Sequence, residues 1–132
     1  MAVHYKDRSA DCAFCELQPD RIIAENELCL AIRDRHPVPN LHTLIIPKRH
    51  VADFFALYQP EINALYALLG QTRTQLTKLD NRVTGFNIGT NVGADAGQTV
   101  FHAHMHVIPR RHGDASNPRG GVRCVIPGKQ DY

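Results

Sequence analysis

The sequence predicts an α+β domain: an antiparallel sheet of about five strands with one long helix and a short helix packed on it. Three observations carry this. Four runs rich in apolar and β-branched residues read as strands: "RIIAENELCLAIRD", "HTLIIP", "VTGFNIGTN" and "TVFHAHMHVI". One stretch, "ADFFALYQPEINALYALLGQTRTQLTKLD", repeats its apolar residues at helical spacing. Several connections are too short for the crossover that parallel strands require.

The elements follow in order. A short helical turn is expected over 13–18. The first run divides into two strands at Glu25-Asn26, and Leu28, Leu30 and Ile32 share one face of the second. "RHPVPN" is a loop, because its two prolines block both helix and interior strand. "HTLIIP" ends at Pro47. In the helix, Ile62, Leu65, Leu69, Leu76 and Leu79 form the apolar stripe, and Pro60 suits its first turn. "GADAGQ" is a glycine-rich loop. The last strand closes at Pro109, and 109–132 is a Gly/Pro/Arg-rich tail with one apolar run, "VRCVI".

The 132 residues suit a single domain, 1–132, with a cysteine-bearing segment at 1–18. A net charge of +2 gives no overall basic character, so nucleic acid is not an expected partner. No apolar run approaches a membrane span, and the polar N-terminus lacks the apolar middle of a signal peptide. A cytoplasmic protein is expected. In that compartment Cys12 and Cys15 read as a metal or redox pair, while Cys29 and Cys124 read as small apolar residues.

His102, His104 and His106 alternate, so a strand would place all three on one face. Phe101, Ala103, Met105 and Val107 would face the helix. Two kinds of chemistry compete. Imidazole binds metals, but alternate strand residues converge on one ion only with strain. Imidazole also serves as nucleophile and acid–base group at phosphorus. The preceding loop favours phosphate, because its backbone N–H groups, Gln98 and Thr99 can donate to an anion.

"HAHMHVI" resembles the His-φ-His-φ-His-φ-φ signature of the histidine triad (HIT) family, with φ apolar. "HTLIIPKRH" and "NVGADAGQTVFHAHMHVIPR" resemble the same family's first histidine-bearing strand and its phosphate loop with catalytic strand. The resemblance implies a HIT-like fold, commonly a homodimer, and a nucleotide substrate hydrolysed at its α-phosphate. It implies His104 as nucleophile, forming a covalent nucleotidyl-histidine, with His106 and His102 flanking it and His42 in support. Asn91, Gln98 and Thr99 would meet phosphates or the leaving group. Asp34 would bind ribose, Ile32 would line the base pocket, and Arg110 matches the dinucleoside polyphosphate branch. By the same resemblance Cys12, Cys15, His50 and His102 would hold a structural Zn²⁺, with no organic cofactor.

A dinucleoside polyphosphate is the expected substrate. The alternatives are a purine nucleoside phosphoramidase, a phosphorylase and a nucleotide-binding regulatory module. Arg119 and Arg123 are expected to grip the distal polyphosphate. His36 is expected to be a plain loop histidine, and His4 and His112 to be solvated. One departure concerns Leu41, where the family usually has glycine; it is expected to change the turn before His42 and reshape the pocket.

Overall fold

The computed structural model describes residues 9–131. His4 lies outside the described residues. Five strands form one antiparallel sheet: β1 (Ile22–Glu25), β2 (Cys29–Arg33), β3 (Thr43–Pro47), β4 (Val83–Gly89) and β5 (Met105–Arg111). Their spatial order is β1-β2-β3-β5-β4. One long helix, α1 (Gln59–Leu79), joins β3 to β4. The helical pattern from residue 52 therefore divides, with a 3-10 turn at Phe54–Ala56 standing before α1. Residues 13–18 form a turn, in which the N–H groups of Cys15 and Glu16 both donate to the Cys12 carbonyl (3.1 and 3.2 Å).

The helix buries a narrower stripe than its leucines suggest. Glu61, Leu65, Leu68, Thr72 and Leu76 are buried, whereas Leu79 is exposed. Buried Glu61 is tolerable because Arg49 holds both carboxylate oxygens (2.7 and 3.0 Å) and the Tyr58 N–H donates to it (2.8 Å). These bonds outweigh burial and keep Glu61 below its ordinary range.

Both sheet faces are covered, by different means. On one face α1 packs against Cys29, Ala31, Ile45, Ala103 and Val107. Met105 joins this cluster, while Phe101 is half-exposed rather than packed on the helix. Cys29 is buried here, and burial pushes its thiol up to about 12, so it remains a neutral core residue. On the other face Leu30, Ile32, Leu44 and Ile46 pack beneath Leu17 and Phe14 of the N-terminal segment. Leu28 leaves that set and sits with the helix-side cluster. The tail, with a 3-10 turn at Gly121–Val125, lies near β4.

The last strand differs from the expectation at both ends. It begins only at Met105, so His102 and His104 precede it. Extending the β3–β5 register would set Ala103 opposite Pro47, which has no N–H for the ladder. The Ala103 N–H donates instead to the Val51 carbonyl (2.8 Å). At the far end β5 runs through Pro109 to Arg111. Beyond Val107 it pairs with β4 alone, which leaves a place where proline costs no ladder bond.

Candidate functional site

The three alternating histidines do not share one environment. His102 is fully buried and turns toward the N-terminal turn. Its Nε2–H donates to the Pro47 carbonyl (2.8 Å), which leaves Nδ1 free. That Nδ1 lies 3.5 Å from both Cys12 Sγ and Cys15 Sγ, and His50 Nδ1 lies 3.2 Å from Cys15 Sγ. The ligand atoms of Cys12, Cys15, His50 and His102 all fall within 4.8 Å of one another, a group that could hold a metal ion. Burial pushes His102 down to about 4, so its ring is neutral, the form that binds metal.

His104 and His106 have ring centroids 5.2 Å apart. His104 Nδ1 bonds to the carbonyl of His102 (2.8 Å), so Nδ1 carries the proton and Nε2 presents a lone pair. The Thr90 hydroxyl fixes the His104 carbonyl (2.8 Å).

A second line of bonds orients His106. The Val38 N–H donates to His42 Nδ1 (3.1 Å), so the neutral His42 ring carries its proton on Nε2. That Nε2–H donates to His106 Nδ1 (2.9 Å), which puts the His106 proton on Nε2, the nitrogen left for a ligand. Asp34 Oδ2 stands 3.5 Å from His42 Nε2 and 3.9 Å from His106 Nδ1. These three residues also lie close enough to hold a metal, but the amide-to-imidazole line already occupies both nitrogens that would bind it. Burial holds His42 below its ordinary range, against the opposing pull of Asp34.

Burial likewise pushes His106 down to about 4, with His104 and His42 adding to the effect and Asp34 opposing it. The folded chain therefore refuses a proton that the unfolded chain accepts below pH 6.5. Stability is expected to fall as pH drops from 6.5 toward 4, and His106→Asn should flatten part of that slope. Urea titrations of both proteins across this range check the sign. An unchanged slope in the variant would contradict it.

His104 and His106 line a cavity of about 800 Å³, together with Asp34, Asn91, Gly97 and Thr99. This volume suits a ligand of nucleotide size. Phe14, Leu17, Leu44 and Val100 supply its apolar walls. The Phe14 ring meets His104 edge-on at 5.1 Å and His102 at 5.9 Å. His36, in the loop after β2, and Arg35 line the cavity as well.

Several expected residues stand elsewhere. Gln98 is buried and spends its amide inside the loop: Oε1 accepts the Gly93 N–H (2.9 Å), and Nε2 donates to the carbonyls of Ala52 and Val100 (2.7 and 3.1 Å). The loop's own N–H groups at Ala96, Gly97 and Gln98 also bond within it, so they are not free for an anion. Ile32 is fully buried beside Leu44, its partner across the sheet, and is not among the residues lining the cavity. Arg110 donates twice to Asp114 (both 2.8 Å) and once to Asn87 (2.7 Å), away from His104. Arg119 and Arg123 do not line this cavity. Cys124 is exposed and donates to Gln130, so it is no apolar core residue.

Leu41 has φ +72, the one left-handed non-glycine residue among those described. That conformation is one glycine adopts freely, and the leucine side chain packs on the helix-side cluster rather than in the cavity. The backbone strain is about 1–2 kcal/mol; the packing of a half-buried leucine offsets a similar amount. Leu41→Gly is therefore expected to shift stability by under about 1 kcal/mol, while β-branched Leu41→Val costs about 1–3 kcal/mol more and lowers kcat through His42. Urea midpoints and turnover of both variants test this.

A sheet with one helix on one face and an imidazole-lined, nucleotide-sized cavity on the other defines a small α+β protein with a histidine-based ligand site. The HIT domain matches residues 16–113, and the chain belongs to the histidine triad family, whose members bind nucleotides and include nucleotide hydrolases. It is 39% identical over 109 residues to the uncharacterized HIT-like protein MG132 of Mycoplasma genitalium, covering 80% of this chain and 77% of that one. It is 33% identical over 108 residues to the adenylylsulfatase HINT3 of Arabidopsis thaliana, covering 79% of this chain and 54% of that one. A solved Zn-bound histidine triad family protein from Mycobacterium smegmatis superposes with a TM-score of 0.66 at 36% identity, covering 73% of this chain and 69% of that one. No helix among the described residues is long and apolar enough to cross a membrane.

Proposed function

We propose that this protein hydrolyses a nucleotide at its α-phosphate through a covalent nucleotidyl-His104 intermediate. The observation that carries the reading is the opposed polarity of two neighbouring rings. His104 is locked with its lone pair outward, and His106 with its N–H outward. An attacking nitrogen and an anion-binding donor thus stand side by side at a cavity of nucleotide size.

His104 Nε2 attacks the α-phosphorus, the P–Nε2 bond forms, and the bond to the leaving group breaks. His106 Nε2–H donates to a phosphate oxygen as negative charge builds. His42 holds that donor in place through the 2.9 Å bond. Water then attacks the phosphoramidate, releasing the nucleoside monophosphate and restoring His104. Asn91 and Thr99 stand ready for phosphate oxygens, and Asp34 can accept the ribose hydroxyls. Phe14 and Leu44 present apolar surface to the base.

The same reading assigns a structural Zn²⁺ to Cys12, Cys15, His50 and His102. A tetrahedral zinc with its usual bond lengths requires S···N separations of about 3.5 Å. The three found, 3.2, 3.5 and 3.5 Å, fit before any ion is added. The Pro47 carbonyl orients His102 as an outer partner should. The ion would fix the turn that carries Phe14. His102 then serves as a ligand and as the carbonyl that orients His104, not as a proton carrier.

We also read the protein as a cytoplasmic homodimer. Thiols destined for a metal suit a reducing compartment. Edge strand β4 with exposed Ile88, and exposed Tyr66 on α1, offer surface to a second copy.

A dinucleoside polyphosphate is the preferred substrate. Adenylyl sulfate is the second reading, favoured by the similarity to the Arabidopsis adenylylsulfatase. Incubation with each, and with a nucleoside phosphoramidate, in the presence and absence of inorganic phosphate, separates these readings by product. Release of a nucleoside monophosphate is expected. Turnover of none of them would leave only a binding module.

A further inference from the structure

The N-terminal turn joins two features that serve different ends. Its cysteines reach His102 and His50, and Phe14, which stands between them in sequence, lines the cavity at His104. The Phe14 ring touches both sides, meeting His102 edge-on at 5.9 Å and His104 at 5.1 Å. A change in the spacing of the two thiols therefore moves a wall of the cavity.

The two thiols are placed to change that spacing. The Cys15 N–H donates to the Cys12 carbonyl (3.1 Å). A turn closed in this way holds its end Cα atoms within about 7 Å, the range that a disulfide spans. The two Sγ atoms stand within 4.8 Å of one another. A disulfide brings them to about 2.05 Å, so the turn must tighten around Phe14. The thiols also differ in access, Cys12 being half-buried and Cys15 buried. An accessible thiol beside a buried one lets the first meet an oxidant and the second resolve the product. Cys29 is buried against α1 and Cys124 is exposed in the tail, both outside this cluster.

We propose that Cys12 and Cys15 form a redox switch, which a peroxide closes into a disulfide that displaces Phe14 and weakens nucleotide binding. This rests on the nucleotide and zinc readings above and adds to them a control of the site.

The chemistry balances in two steps. The Cys12 thiolate attacks one peroxide oxygen, the O–O bond breaks, and a sulfenic acid and hydroxide result. The Cys15 sulfur then attacks the Cys12 sulfur. The S–S bond forms, the S–O bond breaks, and the second hydroxide leaves. Both hydroxides take up the protons of the two thiols and become water. Each sulfur gives up one electron, and the peroxide accepts two. The cluster is left with two imidazole donors, too few for a closed zinc site.

The test treats reduced, zinc-loaded wild type with a small excess of hydrogen peroxide. Expected are a mass loss of about 2 Da, a Cys12–Cys15 disulfide in the peptide map, and release of the metal. The Kd for AMP should rise about tenfold, and dithiothreitol with added zinc should restore it. Cys124→Ser should respond as wild type does, and Cys12→Ser should form no disulfide. Phe14→Ala binds AMP more weakly from the start, and its Kd should change less than about twofold on oxidation. That comparison separates a displaced ring from general unfolding. A disulfide that leaves wild-type AMP affinity unchanged, oxidation that yields no disulfide, or an equal loss of affinity in Phe14→Ala would overturn the proposal. Wild type that holds no zinc overturns the metal reading alone, because the peptide map and the AMP titration still decide the switch. If no nucleotide binds, the nucleotide reading fails, and the NMR signals of the His104 ring decide the switch instead. They should shift on oxidation of wild type and far less in Phe14→Ala, and unmoved signals in wild type would overturn it.

Discussion

His104→Ala is expected to lower nucleotide hydrolysis by about 10⁴-fold or more while leaving nucleotide affinity within a few-fold. The reason is the division of labour in the cavity. His104 contributes the attacking lone pair, and no other described imidazole is locked with its lone pair toward the ligand. Affinity resides largely in other groups: Phe14, Leu44, Asp34, Asn91 and Thr99 also line the cavity. His106→Ala should cost less, about 10²–10³-fold, because it removes one donor to the developing charge. His42→Ala should fall between wild type and His106→Ala, since it frees a donor without deleting it. Single-turnover assays paired with nucleotide titrations measure both quantities. If His104→Ala keeps its rate, or loses binding in proportion to rate, the division of labour is wrong.

Losing one thiol of the N-terminal turn should have the largest effect on stability. Cys15→Ser is expected to lower the melting temperature by roughly 10 °C or more, and chelation of the wild type should reproduce the shift. Cys15 is buried and lies within 3.5 Å of both His102 and His50. Without the ion, buried His102 and half-buried His50 face two thiols through weak S···N contacts alone. Nucleotide affinity should weaken alongside, because Phe14 sits between the two cysteines and against His104. Cys124→Ser, at an exposed position, is the control and should leave the melting temperature unchanged. Calorimetry with and without chelator, followed by zinc add-back, gives the comparison. Equal behaviour of Cys15→Ser and Cys124→Ser would contradict a structural metal.

Legibility in the sequence followed from how local each signal was. The sheet and helix were readable because periodicity two and periodicity 3.6 are written into neighbouring residues. The helix stripe departs from the leucine pattern: Leu79 is exposed, and Glu61 is buried because Arg49, from outside the helix, pairs with its carboxylate. Alternation correctly placed Ala103, Met105 and Val107 on the helix side. His102 lies before the ladder, because the chain leaves it opposite Pro47, and its ring meets the cysteines beside the Phe14 that also touches His104.

Phe14 and Leu44 were missed as cavity residues, yet each carried a usable signal. Phe14 stands between two candidate ligands, so a metal would fix its place. Leu44 lies two residues from His42 and opposite His106 in the sheet, so it shares their side. Gln98 and Arg110 show the converse. Their side-chain types suit phosphate, but their hydrogen bonds are already committed, and no spacing rule reveals that. The docking of the tail on β4 was equally hidden. It depends on Gly121 meeting Asn87, a contact between residues 34 positions apart in sequence.

The most direct test of the central claim is the trapped intermediate. Wild-type protein mixed with excess diadenosine tetraphosphate, quenched under alkaline conditions within one turnover, is analysed by intact-protein and peptide mass spectrometry. A mass gain of one adenylyl group is expected, located on His104 and absent from His104→Ala. Turnover without any adduct, or an adduct on another residue, would contradict it.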